Sequence, residues 1–428
     1  MKNNIFFSTL NNKLNLIFIE DKSTDLIMST VNISVGSNME TPEISGICHL
    51  KEHILFHNKF KNMDITKYLH QISALYNAST SYDQTNYYII SNKNDCCESL
   101  DMLYTIYIHN SFTNDDLIKE KRIVMEEHSI TYNNLNSHVH KALFKSLFGK
   151  DVSENLFVIG TEKAINNASK NDIVQYKKYY LPELTTLIIV GNFNKNIILN
   201  TINKTFGKVK NNFNLSKQVL NNHINIINNK QQFNYYSVPG QNQCYILFAF
   251  QSYNYNNKNK FAVDVLKNLL NYFILFEKLR LDAGQTYSSK SSIFSNKDIG
   301  LFCVDCQVDF RYLMPVLKTL AEIFKSLKTE FVEDNLLKRT YKKLKINNNL
   351  TFQDFRSYHT FYNQQCVNTR DFKNIISPSQ YLEYSKSITK YDIKKVANFI
   401  FDSKKTNLVI VGPEFRQSIA LKQIFNYF

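Results

Sequence analysis

The sequence predicts an α+β protein made of two structurally related α/β domains, each a mixed sheet covered by helices. Three observations predict it. Strand-like runs cluster and join through short turns instead of alternating strictly with helices. A helix–strand–glycine unit recurs near half the chain length: Asp172-Ile173 opens a helix leading to Leu187-Ile188-Ile189-Val190-Gly191, and Asp392-Ile393 opens another leading to Leu408-Val409-Ile410-Val411-Gly412. The 428 residues, 43% hydrophobic and 14% aromatic, exceed one ordinary core. The repeat assigns residues 1–207 to the first domain and 233–428 to the second. The join is 208–232, which is rich in Asn and Lys and weakly periodic.

Taken in order, Ile5 to Leu10 and Leu14 to Ile19 read as a hairpin about Asn11-Asn12. Leu26 to Val35 is a third strand, ended by Gly36. Ile47 to Phe56 has helical periodicity. Tyr76 to Ser81 and Thr85 to Ile90 are two strands joined at Tyr82 to Gln84. Asp115 to Ile130 and Ser137 to Phe148 are long helices. Phe302 to Val308 alternates as a strand. It contains Cys303 and Cys306, read as a reduced structural pair because no second cysteine pair accompanies them.

Composition narrows the function classes. A net charge of +14 invites a nucleic-acid reading, but the lysines are scattered among asparagines. No RNA-binding aromatic signature, zinc finger or glycine-rich phosphate loop is present, so no nucleic-acid partner is expected. No secretory signal, transit peptide or run near the ~18 apolar residues of a membrane span is visible. The expected location is the cytoplasm or a matrix-like equivalent, with no membrane partner.

The chemistry concentrates in His49-Leu50-Lys51-Glu52-His53. Positions i and i+4 of a helix lie about 40° apart on one face, so His49 and His53 can offer two imidazoles to one ion. Glu52 shares that face and can reach a water held there. The order is the inverse of His-Glu-x-x-His and is the inverzincin signature of a hydrolytic zinc site. The competing reading is a polar helix face with two unrelated histidines. A third ligand should come from another helix. Glu120 and Glu127, seven apart in 120–127, share a face, while Glu126 points elsewhere and reads as solvent-exposed charge.

Residues 45–56, Ser-Gly-Ile-Cys-His-Leu-Lys-Glu-His-Ile-Leu-Phe, closely resemble the active-site helix of the pitrilysin/insulinase zinc metallopeptidases, the family of the mitochondrial processing peptidases and their bacterial relatives. The resemblance implies one Zn2+ per chain held by His49, His53 and Glu127, with Glu120 supporting the site from behind. Glu52 is then the general base of a metalloendopeptidase. Tyr76 to Ser81 is similar to the family's edge strand, so Asn77, Ala78, Ser79 and Thr80 are expected to pair with substrate backbone. Arg280 and Tyr287, in a segment similar to the family's Arg…Gly-x-x-Tyr element, are expected to orient substrate and steady negative charge. Pro239-Gly240-Gln241-Asn242-Gln243 resembles the opening of the second domain.

The family's clamshell chamber takes four such domains. This chain would supply half of it, which implies a homodimer or a heterodimer with an inactive relative. The natural substrate stays open among presequences and other peptides, and a non-catalytic scaffold subunit is the alternative. Departures from the family pattern are Lys51 for an apolar residue, Cys48 for a small one, Ser73-Ala74 for two glycines, and a shorter gap from His53 to Glu127. His57, one turn beyond His53, is a possible competing ligand.

Overall fold

The computed structural model describes residues 4–211, 225–226, 230–281, 284–369, 374–415 and 418–428. They fall into two compact units. Unit 1 comprises Met1–Thr131, Lys150–His223 and Phe352–Ile375; unit 2 comprises Tyr132–Gly149, Ile224–Thr351 and Ile376–Phe428. These units do not follow the linear boundaries at 207 and 233. The helix Leu135–Phe148 belongs to unit 2 and the helix Arg356–Thr369 to unit 1. Much of the expected join, residues 212–224 and 227–229, lies outside the described residues.

Unit 1 is built on strands β1 (Asn4–Thr9), β2 (Asn15–Glu20), β3 (Leu26–Ile33), a short hairpin of β4 (Lys59–Phe60) and β5 (Met63–Asp64), then β6 (Leu75–Thr80), β7 (Thr85–Asn92) and β8 (Thr185–Gly191). Its main sheet runs β1-β2-β8-β3-β7-β6. Unit 2 contains β9 (Gln232–Ser237), β10 (Gln243–Ser252), β11 (Thr286–Ser295), β12 (Gly300–Asp309) and β13 (Asn407–Gly412), ordered β11-β12-β10-β13-β9. The two orders match strand for strand: β2-β8-β3-β7-β6 repeats as β9-β13-β10-β12-β11. The single parallel pairing of each, β2 with β8 and β9 with β13, falls in the same place.

The helix–strand–glycine repeat is the visible trace of that duplication. Helices Lys170–Tyr176 and Lys390–Ile400 both begin with a capping box, Ser169 with Asp172 and Thr389 with Asp392. Each box satisfies two N–H groups that the first helical turn leaves unpaired. The strands that follow, β8 and β13, are buried at every residue. A strand covered on both faces reads as an unbroken apolar run, which is why these two stood out.

One face of the unit 1 sheet, formed by Ile17, Ile19, Met28, Ile90, Ile188 and Val190, is closed by Tyr362 and Cys366 of the helix Arg356–Thr369. Unit 2 packs Phe248 and Phe250 of β10 against Phe324 and Phe401, with ring centroids 4.8 to 5.3 Å apart. Cys303 and Cys306 are free thiols on β12. Three positions apart on a strand, they point to opposite faces and do not form a facing pair. Among the described residues no helix is long and apolar enough to cross a membrane.

Candidate metal centre

The motif helix spans Ile47–Ile54. Its first turn is fixed by Gly46, whose left-handed φ of 90° turns the chain into the helix. Gly46 lies against Gly160 so closely that a Cβ on either would meet the other's backbone, so both positions need glycine. The N–H groups of Gly46 and Cys48 both donate to the buried Glu40 carboxyl group, each at 2.8 Å, and burial pushes that carboxyl up to about 8. Cys48 is buried beside Thr85, its Sγ 3.2 Å from the hydroxyl, and burial pushes the thiol up to about 12. Lys51 points away from the histidines into the interior. Its Nζ lies 3.3 Å from the Ile173 carbonyl and 4.9 Å from the Tyr180 ring centre. Burial, with Lys177 adding, pushes the Lys51 ammonium down to about 7.

The helix Asn114–Asn133 supplies the carboxylates. Glu127 Oε2 lies 3.6 Å from His49 Nε2 and 3.7 Å from His53 Nε2. The His49 and His53 ring centres are 4.7 Å apart. Those oxygen–nitrogen separations are too long for hydrogen bonds. They approach the ~3.3 Å expected between tetrahedral ligands about 2.0–2.1 Å from one ion. His49, His53 and Glu127 are the set of His, Cys, Asp or Glu side chains among the described residues whose ligand atoms converge in this way. The donor set therefore fits a divalent ion. Burial, with His53 beside it, pushes His49 down to about 4, which keeps it in the neutral form that ligates.

Behind these residues runs a chain of hydrogen bonds. His53 Nδ1 donates to Glu120 Oε2 at 3.1 Å, and His57 Nε2 donates to Glu120 Oε1 at 2.8 Å. His57 Nδ1 stands 3.3 Å from Asp116. Burial alone would raise Glu120, but the two histidine hydrogen bonds outweigh it and hold the carboxyl at about 2. His57 is thus committed to Glu120 and Asp116 rather than to the ligand set, which answers the possibility of a competing ligand. Glu126 is exposed, as its phase on the helix requires.

Glu52 lies on the motif helix between the two histidines, and burial raises its carboxyl above the ordinary range. The Thr80 hydroxyl donates to Glu52 Oε2 at 2.5 Å. Thr80 closes β6, which pairs with β7 and forms an edge of the sheet. Along β6 exposure alternates, with Leu75, Asn77 and Ser79 outward and Tyr76, Ala78 and Thr80 half-buried. The Asn77 side chain accepts from the Ala78 N–H at 2.9 Å. Ser73 takes a left-handed φ of 53° without being a glycine.

Arg280 and Tyr287 belong to unit 2. Arg280 lies in the last turn of the π-helical stretch Phe276–Leu281, with its guanidinium 5.8 Å from the Phe276 ring centre. Tyr287 is 77% exposed and sits where the β11–β12 register slips by one residue, a bulge that re-aims its side chain. Asp282 and Ala283 of the same segment lie outside the described residues. Sequence reasoning missed Glu40, Asp116 and the bond from Thr80 to Glu52. Asp116 and Thr80 act on residues far away in the chain, and Glu40, though only six residues before Gly46, reaches the motif helix from outside it.

Two histidines one helical turn apart, a facing carboxylate and an adjoining glutamate are the side chains of a zinc-hydrolase site as a class. Comparison with known proteins agrees. The chain belongs to the insulinase (peptidase M16) family: residues 16–158 match the family model described as Insulinase (Peptidase family M16), and residues 173–344 match the Peptidase M16 inactive domain. It is 25% identical over 346 residues to a Bacillus subtilis protein named uncharacterized zinc protease YmxG, covering 79% of this chain and 82% of that protein. It is 24% identical to an uncharacterized zinc protease of Rickettsia felis, covering 96% and 98%. In structure it is similar to a Helicobacter pylori protease, with TM-score 0.87 at 20% identity, covering 96% of this chain and all of that one. It is also similar to a chain of complex III2 from Candida albicans, with TM-score 0.80 at 12% identity, covering 98% and 100%.

Proposed function

We propose that the protein is a zinc-dependent endopeptidase acting on peptides or short unfolded segments such as presequences. The observation that carries this reading is the convergence of His49, His53 and Glu127 beside a buried glutamate, Glu52. An ion held by those three residues would supply Lewis acidity, polarising the substrate carbonyl and acidifying water. Glu52 takes the proton of the attacking water and passes it to the leaving amine. Its raised affinity for protons, a consequence of burial, suits a group that must accept one and return it. The Thr80 hydroxyl holds one Glu52 oxygen and leaves the other for that transfer. Substrate backbone adds to the open edge of β6 along Asn77, Ala78, Ser79 and Thr80. Arg280 and Tyr287 orient substrate and stabilise charge on the former carbonyl oxygen.

The match of residues 173–344 to an inactive domain favours a second half that binds rather than cleaves, and a chamber completed by a second copy or an inactive relative. A scaffold subunit is the rival reading, and zinc content together with peptide cleavage separates the two. In the decisive experiment Glu52→Gln retains stoichiometric zinc while kcat falls at least 10²-fold. A Glu52→Gln protein that cleaves peptides at the wild-type rate refutes the mechanism. A particle of 50.1 kDa on sizing refutes the dimer.

A further inference from the structure

Because the sheet topology and its helices occur twice, a cavity in one unit has a counterpart position in the other. The helices Asn114–Asn133 and Asp334–Thr351 start 220 residues apart, and the capping boxes at Ser169 and Thr389 repeat that offset. The buried Glu120 and Val124 of the first helix then fall on the buried Thr340 and Leu344 of the second, so both helices bury the same face. On the same offset Lys121 and Asn166 fall on Tyr341 and Lys386. In unit 1 the Lys121 ammonium donates to the Asn166 carbonyl at 2.8 Å and straps the helix to the chain beside it. In unit 2 no such bond joins Tyr341 to Lys386 among the described residues, and both line a cleft of about 800 Å³. The fold does not require this opening, since the same pair of elements is bridged in unit 1.

The lining has two chemistries. The buried Val265 and Leu344, with the half-buried Leu337 and Ile388, give the cleft an apolar floor. Three lysines, Lys338, Lys386 and Lys390, stand against one acid, Asp334. That acid is taken by Lys390, at 3.1 Å. Lys338 and Lys386 are exposed and have no carboxylate partner among the described residues. Tyr341 and Tyr391 add amphipathic rings, and Tyr391 is 65% exposed.

A pocket for a small molecule encloses most of its ligand. This cleft has exposed side chains along its rim, which suits a segment of chain lying across it. Unpaired ammonium groups select carboxylates by charge, and an apolar floor anchors a bulky side chain. A nucleic acid would meet the lysines but leave the floor unfilled. We propose that this cleft of unit 2 docks an acidic peptide segment of a partner protein, with carboxylates on Lys338 and Lys386 and a bulky apolar side chain on Leu337, Leu344 and Ile388. No residue of the metal-ligand set lines it, so the site is independent of the peptidase reading.

The test is fluorescence anisotropy on the full-length protein in a Glu52→Gln background, which keeps peptides intact. Three labelled probes are compared: an end-blocked peptide alternating Glu or Asp with Leu or Phe, its Gln and Asn counterpart, and a single-stranded oligonucleotide. The acidic peptide should bind about tenfold or more tightly than either of the others. Lys338→Glu combined with Lys386→Glu, both at exposed positions, should weaken it about tenfold or more. Tyr341→Lys installs the unit 1 strap and should weaken it comparably, although it adds a positive charge that surface attraction alone would turn into tighter binding. No binding of the acidic peptide, equal binding of its neutral counterpart or of the oligonucleotide, or acidic-peptide binding that is unchanged in the double variant or unchanged or tighter in Tyr341→Lys, overturns the site.

Discussion

One carboxylate, Glu120, serves two histidines. One oxygen holds the His53 ring from behind and the other is held by His57, which itself rests on Asp116. A ligand imidazole fixed through its remote nitrogen keeps its tautomer and aim, and losing such support typically costs 10–100-fold in metal affinity. His57→Ala should therefore weaken zinc binding by about 10–100-fold in a chelator competition while leaving the three ligands in place. Asp116→Asn should do so less, because it keeps a hydrogen-bond acceptor for His57. Equal zinc affinity in His57→Ala and wild type would show that Glu120 needs no backing. His49 and His53 were legible from spacing alone, and the family resemblance extended the set to Glu127 and Glu120. The part played by Asp116 was not legible, because it depends on how two helices are set against each other.

At the scale of elements, the motif helix starts without a capping side chain of its own. Glu40, six residues before Gly46, accepts the two free N–H groups instead. Glu40→Ala would leave both buried and unpaired, at about 1–3 kcal/mol each. The expected result is an unfolding free energy, measured by urea titration, lowered by about 2–6 kcal/mol, checked against Glu40→Gln, which keeps an accepting oxygen and should lose less. The helix Arg356–Thr369 carries a second prediction. His359 is buried against Tyr88, with Nε2 lacking a protein partner, and burial pushes the imidazole from 6.5 down to about 4. The fold thus takes the neutral form, while the unfolded chain takes a proton near pH 6.5. This contribution is fully present above pH 6.5 and is lost as pH falls through about 4, amounting to about 3 kcal/mol. Stability of wild type minus that of His359→Phe should fall over that window. A flat difference between pH 7 and 4 would contradict it.

Across the whole molecule, one sheet topology is used twice, and only one copy bears the ligand set. The segment between β10 and β11 stands where the motif helix stands between β3 and β6, and its helix Lys260–Leu269 and π-helical turns contain no histidine. Zinc should therefore stabilise the protein through unit 1. Binding to the folded state alone adds about 2.7 kcal/mol when free metal is a hundred times Kd. Chelation should lower the melting midpoint of wild type and leave that of His49→Ala unmoved. An equal drop in both proteins would place the metal elsewhere. The +14 charge takes no part in this argument, since the ligand set is two imidazoles and one carboxylate.

What the sequence determined by itself was periodic and local. The i, i+4 histidines, the seven-residue step from Glu120 to Glu127, the two capping boxes and the two buried strands ending in glycine are all written within a few turns of chain. What only the tertiary structure decided depends on partners far apart in sequence. An amphipathic pattern tells that Leu135–Phe148 and Arg356–Thr369 must each bury a face. It does not tell against which sheet, and each joins the unit opposite to its place in the chain. The same holds for Thr80 on Glu52 and His57 between two acids, while Glu40 is near the motif helix in sequence but reaches it from a separate element. A hydrogen bond is set by distance and angle between side chains, and spacing along the chain fixes these only when both groups share one element.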